Sequence, residues 1–334
     1  MIKLKGYNGF LFVGDPHLWS KKPGKRLDSN FTEVILDKID QSIKIAKKEN
    51  LYLIFLGDLF DKDDECDIGM LTKLTRILKQ HNEAYATVEG NHERKQVSIS
   101  DEVALALMSE AGTIHVMKQN GWWGNIQIGD KYVLIGSTPN SSKIPREVTL
   151  PKAFEDKDVF TIWLTHHNLA FGDTYPGVEE IHEIKGVDIL INGHIHQTKK
   201  PVIKGMMKAF NPGNITRVSK DCADHIPAVW KWVPEQGREI EPIPLVYKKS
   251  VFMLENQIKT EVEVPVVSID MTPQQKLLFV EGLEEQLNQD HVKTDDGEEV
   301  KIQINAMAKA LNSVDEIRNN ILELAEEALK MDSN

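Results

Sequence analysis

The chain has 334 residues, 41 % of them hydrophobic, enough to bury one large core and a smaller one. No apolar run reaches the ~18 residues of a membrane span, the first residues carry no signal-peptide pattern, and two cysteines, Cys66 and Cys222, exclude a disulfide framework. The formal charge of −11 is unevenly spread, since residues 1–250 hold 33 Lys+Arg against 33 Asp+Glu and residues 251–334 hold 7 against 18. A neutral front argues against tight, independent binding of nucleic acid, and the acidic tail reads as solvated or protein-facing. A reducing cytoplasm is the expected compartment, with no membrane association.

In chain order, Phe10-Leu11-Phe12-Val13 reads as a short buried strand that delivers Asp15 and His17 at its end. The spacing of Phe31, Ile35, Ile39, Ile43 and Ala46 predicts a helix over 31–49. Leu51 to Leu56 is a second strand, ending at Gly57-Asp58. Ile68 to Leu78 is a helix, and Ala84 to Val88 a third strand, ending at Gly90-Asn91-His92. This strand–site–helix rhythm predicts an α/β core with its site at the strand ends. A further helix is expected over 101–111. From 114 to 137, short strands with glycine turns predict antiparallel hairpins flanking the parallel sheet. Phe160 to Leu164 delivers His166 and His167, while Val187 to Asn192 delivers Gly193-His194-Ile195-His196. Residues 202–210 and 228–233 read as further strands. Pro234-Glu235-Gln236-Gly237 and Glu241-Pro242-Ile243-Pro244 mark an expected boundary between a domain at 1–235 and a partner-docking accessory region at 236–334. There, Thr272-Pro273-Gln274-Gln275 and Ser313-Val314-Asp315-Glu316 are helix starts. Val314, Ile317, Ile321, Leu324 and Ala328 form one apolar seam.

Phosphodiester hydrolysis at neutral pH needs an activated nucleophile and neutralised phosphoryl oxygens, which two divalent cations roughly 3.5–4 Å apart can supply. Asp58, with two carboxylate oxygens, can bridge both. Asp15, His17 and His196 can complete one, and Asn91, His166 and His194 the other. His92 is left over to donate a proton to the leaving group or stabilise its charge. This nitrogen and oxygen set suits manganese, iron or zinc better than magnesium or calcium. Mn2+ is the leading candidate, with Mg2+, Fe2+ and Zn2+ as alternatives. Taken singly, each motif is a turn, and His81, His115, His182, His225 and His291 read as structural. Five motifs in order, each after an apolar strand, do not reduce to turns.

Together, Asp15-x-His17, Gly57-Asp58, Gly90-Asn91-His92, His166 and Gly193-His194-x-His196 resemble the motif set of the calcineurin-like metallophosphoesterases, over roughly residues 8–235. The resemblance implies a four-layer α/β metallophosphoesterase sandwich with a small C-terminal α+β accessory region. It also implies a dinuclear centre in the ligand roles just given, and it favours His166 over His167. Within the superfamily the chain is most similar to the bacteriophage form of the SbcD-type nuclease subunit of double-strand-break repair. That similarity rests on Gly57-Asp58-Leu59-Phe60-Asp61, on Asn211-Pro212-Gly213-Asn214-Ile215-Thr216-Arg217, and on the acidic Asp295-Asp296-Gly297-Glu298-Glu299 loop with its closing helix. It implies a DNA exonuclease with single-strand endonuclease capacity, an SbcC-like coiled-coil ATPase as partner, and a bacterial or phage-infected cytoplasm; a homodimer is compatible with it. Asp61 stands where some nuclease members carry histidine, and Glu93 where aspartate is more usual. DNA phosphate contacts are expected from Lys21, Lys22, Lys25, Arg26, Arg94, Lys95, Lys199 and Lys200. The alternatives are a phosphatase or cyclic-nucleotide phosphodiesterase on the same centre, and a non-catalytic scaffold.

Overall fold

In a computed structural model, the structure describes residues 1–252 apart from 25, 63–64, 66, 81–83, 94–99 and 173–176. The chain divides into two compact units, Met1–Ile258 and Lys259–Asn334. The helix starts at 272 and 313, the apolar seam and the acidic 295–299 loop lie outside the described residues.

The described elements are β1 (Ile2–Leu4), β2 (Gly9–Val13), α1 (Phe31–Glu49), β3 (Leu51–Phe55), α2 (Ile68–Leu78), β4 (Tyr85–Val88), α3 (Ala104–Glu110) and β5 (Ile114–Met117). They continue with β6 (Gly121–Ile128), β7 (Lys131–Thr138), β8 (Val159–Thr165), β9 (Ile189–Asn192), β10 (Lys199–Lys204), β11 (Met207–Asn211), β12 (Ala228–Trp232) and β13 (Glu241–Pro244). One sheet has the order β13-β12-β2-β3-β4-β5 and the other β1-β6-β7-β8-β9-β11-β10. This is a mixed α/β fold with two multi-stranded sheets and few helices, in keeping with the sandwich that the resemblance implies.

The apolar runs of β2 and β3 are continuous because both faces of that sheet are covered. Leu11, Val13, Leu53 and Phe55 point into a core shared with the helices, where Ile35, Ile39 and Ile43 of α1 meet Leu74 of α2. The intervening Phe10, Phe12, Tyr52 and Ile54 point the other way, into the core between the sheets, against Ile162 and Leu164 of β8 and Ile191 of β9. On the far side of the second sheet, Trp163 and Leu190 are covered by Ile144, Leu169, Phe171 and Ile184 from irregular segments. Both long helices start where a side-chain cap is available: Asn30 accepts from Glu33 N at 3.2 Å, and Asp67 from Met70 N at 2.6 Å. Helix α3 is shorter than the expected 101–111, and its first flanking residue, Val103, offers no side-chain cap.

Two expectations are corrected. The stretch 114–137 is not one set of hairpins. β5 runs parallel to β4 at the edge of the first sheet, and the chain then crosses to the second sheet, where β6 and β7 form the antiparallel hairpin. The prolines near 242 do not mark a boundary either, because β13 pairs antiparallel with β12 as the edge strand of its sheet. An edge tolerates prolines that cannot donate to a ladder. The described sheet therefore runs on past 235, to Pro244.

Candidate metal centre

The parallel strands all end on one side, and their following turns bring the motif residues together. Asp15 and His17 follow β2, Asp58 follows β3, and Asn91 and His92 follow β4. From the second sheet, His166 follows β8, and His194 and His196 follow β9. Four of these residues have left-handed backbone: Asp15 (φ 25°), His17 (φ 46°), Asp58 (φ 45°) and His194 (φ 73°). Each such non-glycine conformation costs on the order of 1–3 kcal/mol. Cross-turn bonds offset the cost, among them His17 N to Asp58 O at 2.9 Å and Leu18 N to Leu59 O at 2.8 Å. Gly90 and Gly193 leave the room the centre needs. A Cβ on Gly90 would lie 2.1 Å from Asp58 Oδ1, and one on Gly193 would lie 2.8 Å from Asp15 Oδ1.

Two groups of ligand atoms result. Those of Asp15, His17 and His196 lie within 4.8 Å of one another, as do those of Asp58, His166 and His194. Asn91 joins the second group, with Oδ1 2.9 Å from His194 Nδ1 and 3.2 Å from His166 Nε2. All seven expected ligands thus converge in the expected division. Asp58 links the groups through one oxygen rather than two: Oδ2 is 3.0 Å from His166 Nε2 and 3.8 Å from His17 Nε2. Its Oδ1 instead accepts the His92 backbone N–H at 3.0 Å.

The donor set fits divalent cations. Both carboxylate oxygens of Asp15 are buried with no hydrogen-bonding partner among the described residues, and His17 Nε2 faces His196 Nε2 at 2.9 Å. Buried carboxylate oxygens without donors are costly unless a cation takes their place. Because a carbonyl can only accept, His166 Nδ1–H donates to Leu56 O at 2.7 Å, which leaves Nε2 as the ligand atom. His92 Nδ1–H donates likewise to Asp61 O at 2.7 Å. The Asp61 carboxylate lies 3.1 Å from His17 Nδ1, so a carboxylate stands behind a ligand histidine. A third group, His17, Asp61 and His92, also satisfies the spacing for a cation.

Sequence reasoning noted Glu93 only as a departure from the usual aspartate and did not single out Asn192, yet both hold these loops. Buried Glu93 accepts from Leu59 N at 2.5 Å and Gly90 N at 3.0 Å, tying the second motif to the third. Asn192 accepts from His167 N at 3.0 Å and donates to Asn211 Oδ1 at 3.1 Å, fixing the turn that carries His194. Asp61 and Glu93 were visible as carboxylates inside their motifs; Asn192 had no signal. His167 Nε2 lies 2.8 Å from Ser142 O, directed at backbone.

Burial alone would lift Asp58, but His166, then His17 and His92, hold its carboxyl well below the usual range. Burial opposes charge on His166, yet Asp58 and then Asp15 carry it to about 10. Burial lifts Asp15 to about 6, while burial and neighbouring histidines lower His194 to about 4 and His196 to about 3. His194 and His196 are therefore neutral and ready as ligands at pH 7, whereas His166 must lose a proton to bind. Apparent Mn2+ affinity should rise with pH between 6 and 9, by up to about tenfold per unit for each proton displaced. It should steepen below pH 6, where Asp15 too is protonated. Calorimetric titration in buffers of different ionisation enthalpy counts those protons, and a flat affinity over that range would contradict the assignment.

Of the expected DNA contacts, Lys21, Lys22 and Lys200 are exposed and Lys199 is half-buried at the start of β10; Lys25, Arg94 and Lys95 lie outside the described residues. Arg26 is corrected. It is 2 % exposed, paired with Asp28 at 2.6 Å and bonded to the Thr216 and Arg217 carbonyls, so its charge is spent inside the fold.

The family model described as calcineurin-like phosphoesterase matches residues 9–198, which include all seven candidate ligands and His92. The chain belongs to that family. It is thus a metallophosphoesterase of the phosphoester-hydrolysing kind. No curated protein matches the chain. Among solved structures it is similar to an archaeal phosphodiesterase, at 14 % identity and TM-score 0.36, over 71 % of this chain and 99 % of that one. A putative 5'-nucleotidase from Staphylococcus aureus is 14 % identical with TM-score 0.41, over 74 % of this chain and 56 % of that one. The NAD nucleotidase of Haemophilus influenzae is 14 % identical with TM-score 0.43, over 71 % and 49 %. The matches thus span about half the length of the two nucleotidases. Among the described residues no helix is long and apolar enough to cross a membrane.

Proposed function

We propose that this metallophosphoesterase is the nuclease subunit of a DNA-processing complex, acting as an exonuclease with single-strand endonuclease capacity beside an SbcC-like coiled-coil ATPase. The observation that carries the reading is the second motif, Gly57-Asp58-Leu59-Phe60-Asp61, joined to the Asn211–Arg217 segment whose backbone runs against the Asp15 turn. Two bound divalent cations, Mn2+ foremost, supply Lewis acidity and an activated nucleophile. Asp15, His17 and His196 hold one, and Asn91, His166 and His194 the other, with Asp58 between them. His92, held at Nδ1 by the Asp61 carbonyl, keeps Nε2 for the leaving oxygen. Lys21, Lys22, Lys199 and Lys200 are candidates for phosphate contacts that position the strand. Residues 1–250 sum to zero formal charge, so the partner supplies much of the grip on DNA. The compartment this reading implies is the cytoplasm of a bacterium or phage-infected host.

End-labelled duplex and single-stranded DNA, incubated with the purified chain and Mn2+, test the reading. Shortening of the labelled strand that stops when Mn2+ is chelated is the expected result. Turnover of nucleotide monoesters with DNA left intact, in the presence of its ATPase as well, would overturn it in favour of a phosphatase.

A further inference from the structure

The Asn214–Arg217 turn is gripped from both sides. On one side it is bonded to the backbone that carries two ligands. Ile215 N donates to Gly14 O at 3.1 Å, and the Thr216 hydroxyl donates to Pro16 O at 2.7 Å, with Asp15 O 3.1 Å away. On the other side three consecutive carbonyls are met by buried cations. Lys38 Nζ donates to Ile215 O at 2.6 Å, and Arg26 Nη1 donates to Thr216 O at 2.9 Å and Arg217 O at 2.8 Å. Arg26 and Lys38 are each 2 % exposed, and Arg26 is sandwiched between the Phe31 and Phe252 rings, 5.2 and 5.3 Å from their centroids.

Burying a guanidinium and an amine to hold one buried turn is costly, and an apolar contact could cover the same area more cheaply. What the cations supply is direction. Carbonyls fixed on one edge of the turn leave its amide and hydroxyl edge aimed at residues 14–16, where the backbone is left-handed at Asp15 and, one residue beyond Pro16, at His17. We infer that Arg26, Lys38 and Thr216 are positioning residues for the metal centre. The buried cations hold the turn, and the Thr216 hydroxyl holds the Asp15–Pro16 backbone so that Asp15 and His17 present their ligand atoms together. Asn91, His166 and His194 follow other strands and take part in none of these bonds, while Asp58, bonded through its carbonyl to His17 N, is shared between the two groups.

The inference rests on the two-cation reading, and Mn2+ titration followed by electron paramagnetic resonance separates the two. Wild-type chain should load two Mn2+ and give the signal of a coupled pair; failure to do so would overturn the two-cation reading itself. Thr216→Val, close in shape but without the hydroxyl, should weaken one of the two ions by about tenfold or more, the cost usual for a lost outer-shell partner. The spectrum should then become that of an isolated ion at intermediate Mn2+. Thr216→Ser keeps the hydroxyl and should bind both ions as wild type does. Lys38→Met keeps the stem and removes the donated bond, and should weaken the same ion. Wild-type affinity for both ions in Thr216→Val or Lys38→Met, or an equal loss in Thr216→Ser and Thr216→Val, would overturn the positioning role.

Discussion

Replacing His92 by alanine should lower phosphodiester turnover by about 100- to 10,000-fold, the range of a lost general acid or base, while two Mn2+ stay bound. The side chain stands beside the ligands without belonging to the two main groups. Its ring meets His17 edge-on, with centroids 5.0 Å apart, and its Nδ1 is committed to the Asp61 carbonyl at 2.7 Å. What supports the centre at this position is the backbone: His92 N–H holds Asp58 Oδ1 at 3.0 Å, and alanine retains it. The variant also separates two roles that proximity leaves open, since His92 could join His17 and Asp61 around a cation. Loss of Mn2+ together with activity would make His92 a ligand rather than the proton donor.

Asp58→Asn should have the larger effect, removing both cations and with them all measurable hydrolysis. Asp58 is 1 % exposed, and its Oδ2 faces both ligand groups, at 3.0 Å from His166 Nε2 and 3.8 Å from His17 Nε2. The amide keeps the shape but removes the charge that two cations share. Breaking a buried ion pair costs about 3–5 kcal/mol when the partner must stay charged. His166 is held up to about 10 chiefly by Asp58 against the pull of burial, so in the variant its pKa should fall and its proton be held less tightly. Stability should therefore drop by less than that range, with the His166 ring titrating lower in a histidine NMR experiment. An Asp58→Asn chain that still binds one Mn2+ at wild-type affinity would show that the two groups are independent.

Much of the fold was legible because periodicity reports burial. The spacing of Phe31, Ile35, Ile39 and Ile43 gave α1 with both ends, and the apolar runs before Asp15, Asp58 and His194 gave strands buried on two faces. The convergence of the candidate ligands was legible because each follows such a strand, where the turn leaves few conformations. The split into two sheets was not legible. β5 and β6 are only a few residues apart, and nothing in Met117 to Gly121 tells which sheet each strand joins. Arg26 was misread because a basic loop ordinarily faces water, and its partners, the Thr216 and Arg217 carbonyls, lie some 190 residues on. Backbone acceptors leave no trace in a sequence. The same reason hides Lys38, which sits on the buried face of α1 among Ile35, Leu36 and Ile39.

The most direct measurement of the account is anomalous diffraction at the manganese edge from crystals grown with Mn2+. Two peaks roughly 3.5–4 Å apart are expected, both against Asp58 Oδ2, one reached by Asp15, His17 and His196 and the other by Asn91, His166 and His194. A single peak, or peaks away from these seven side chains, would contradict it.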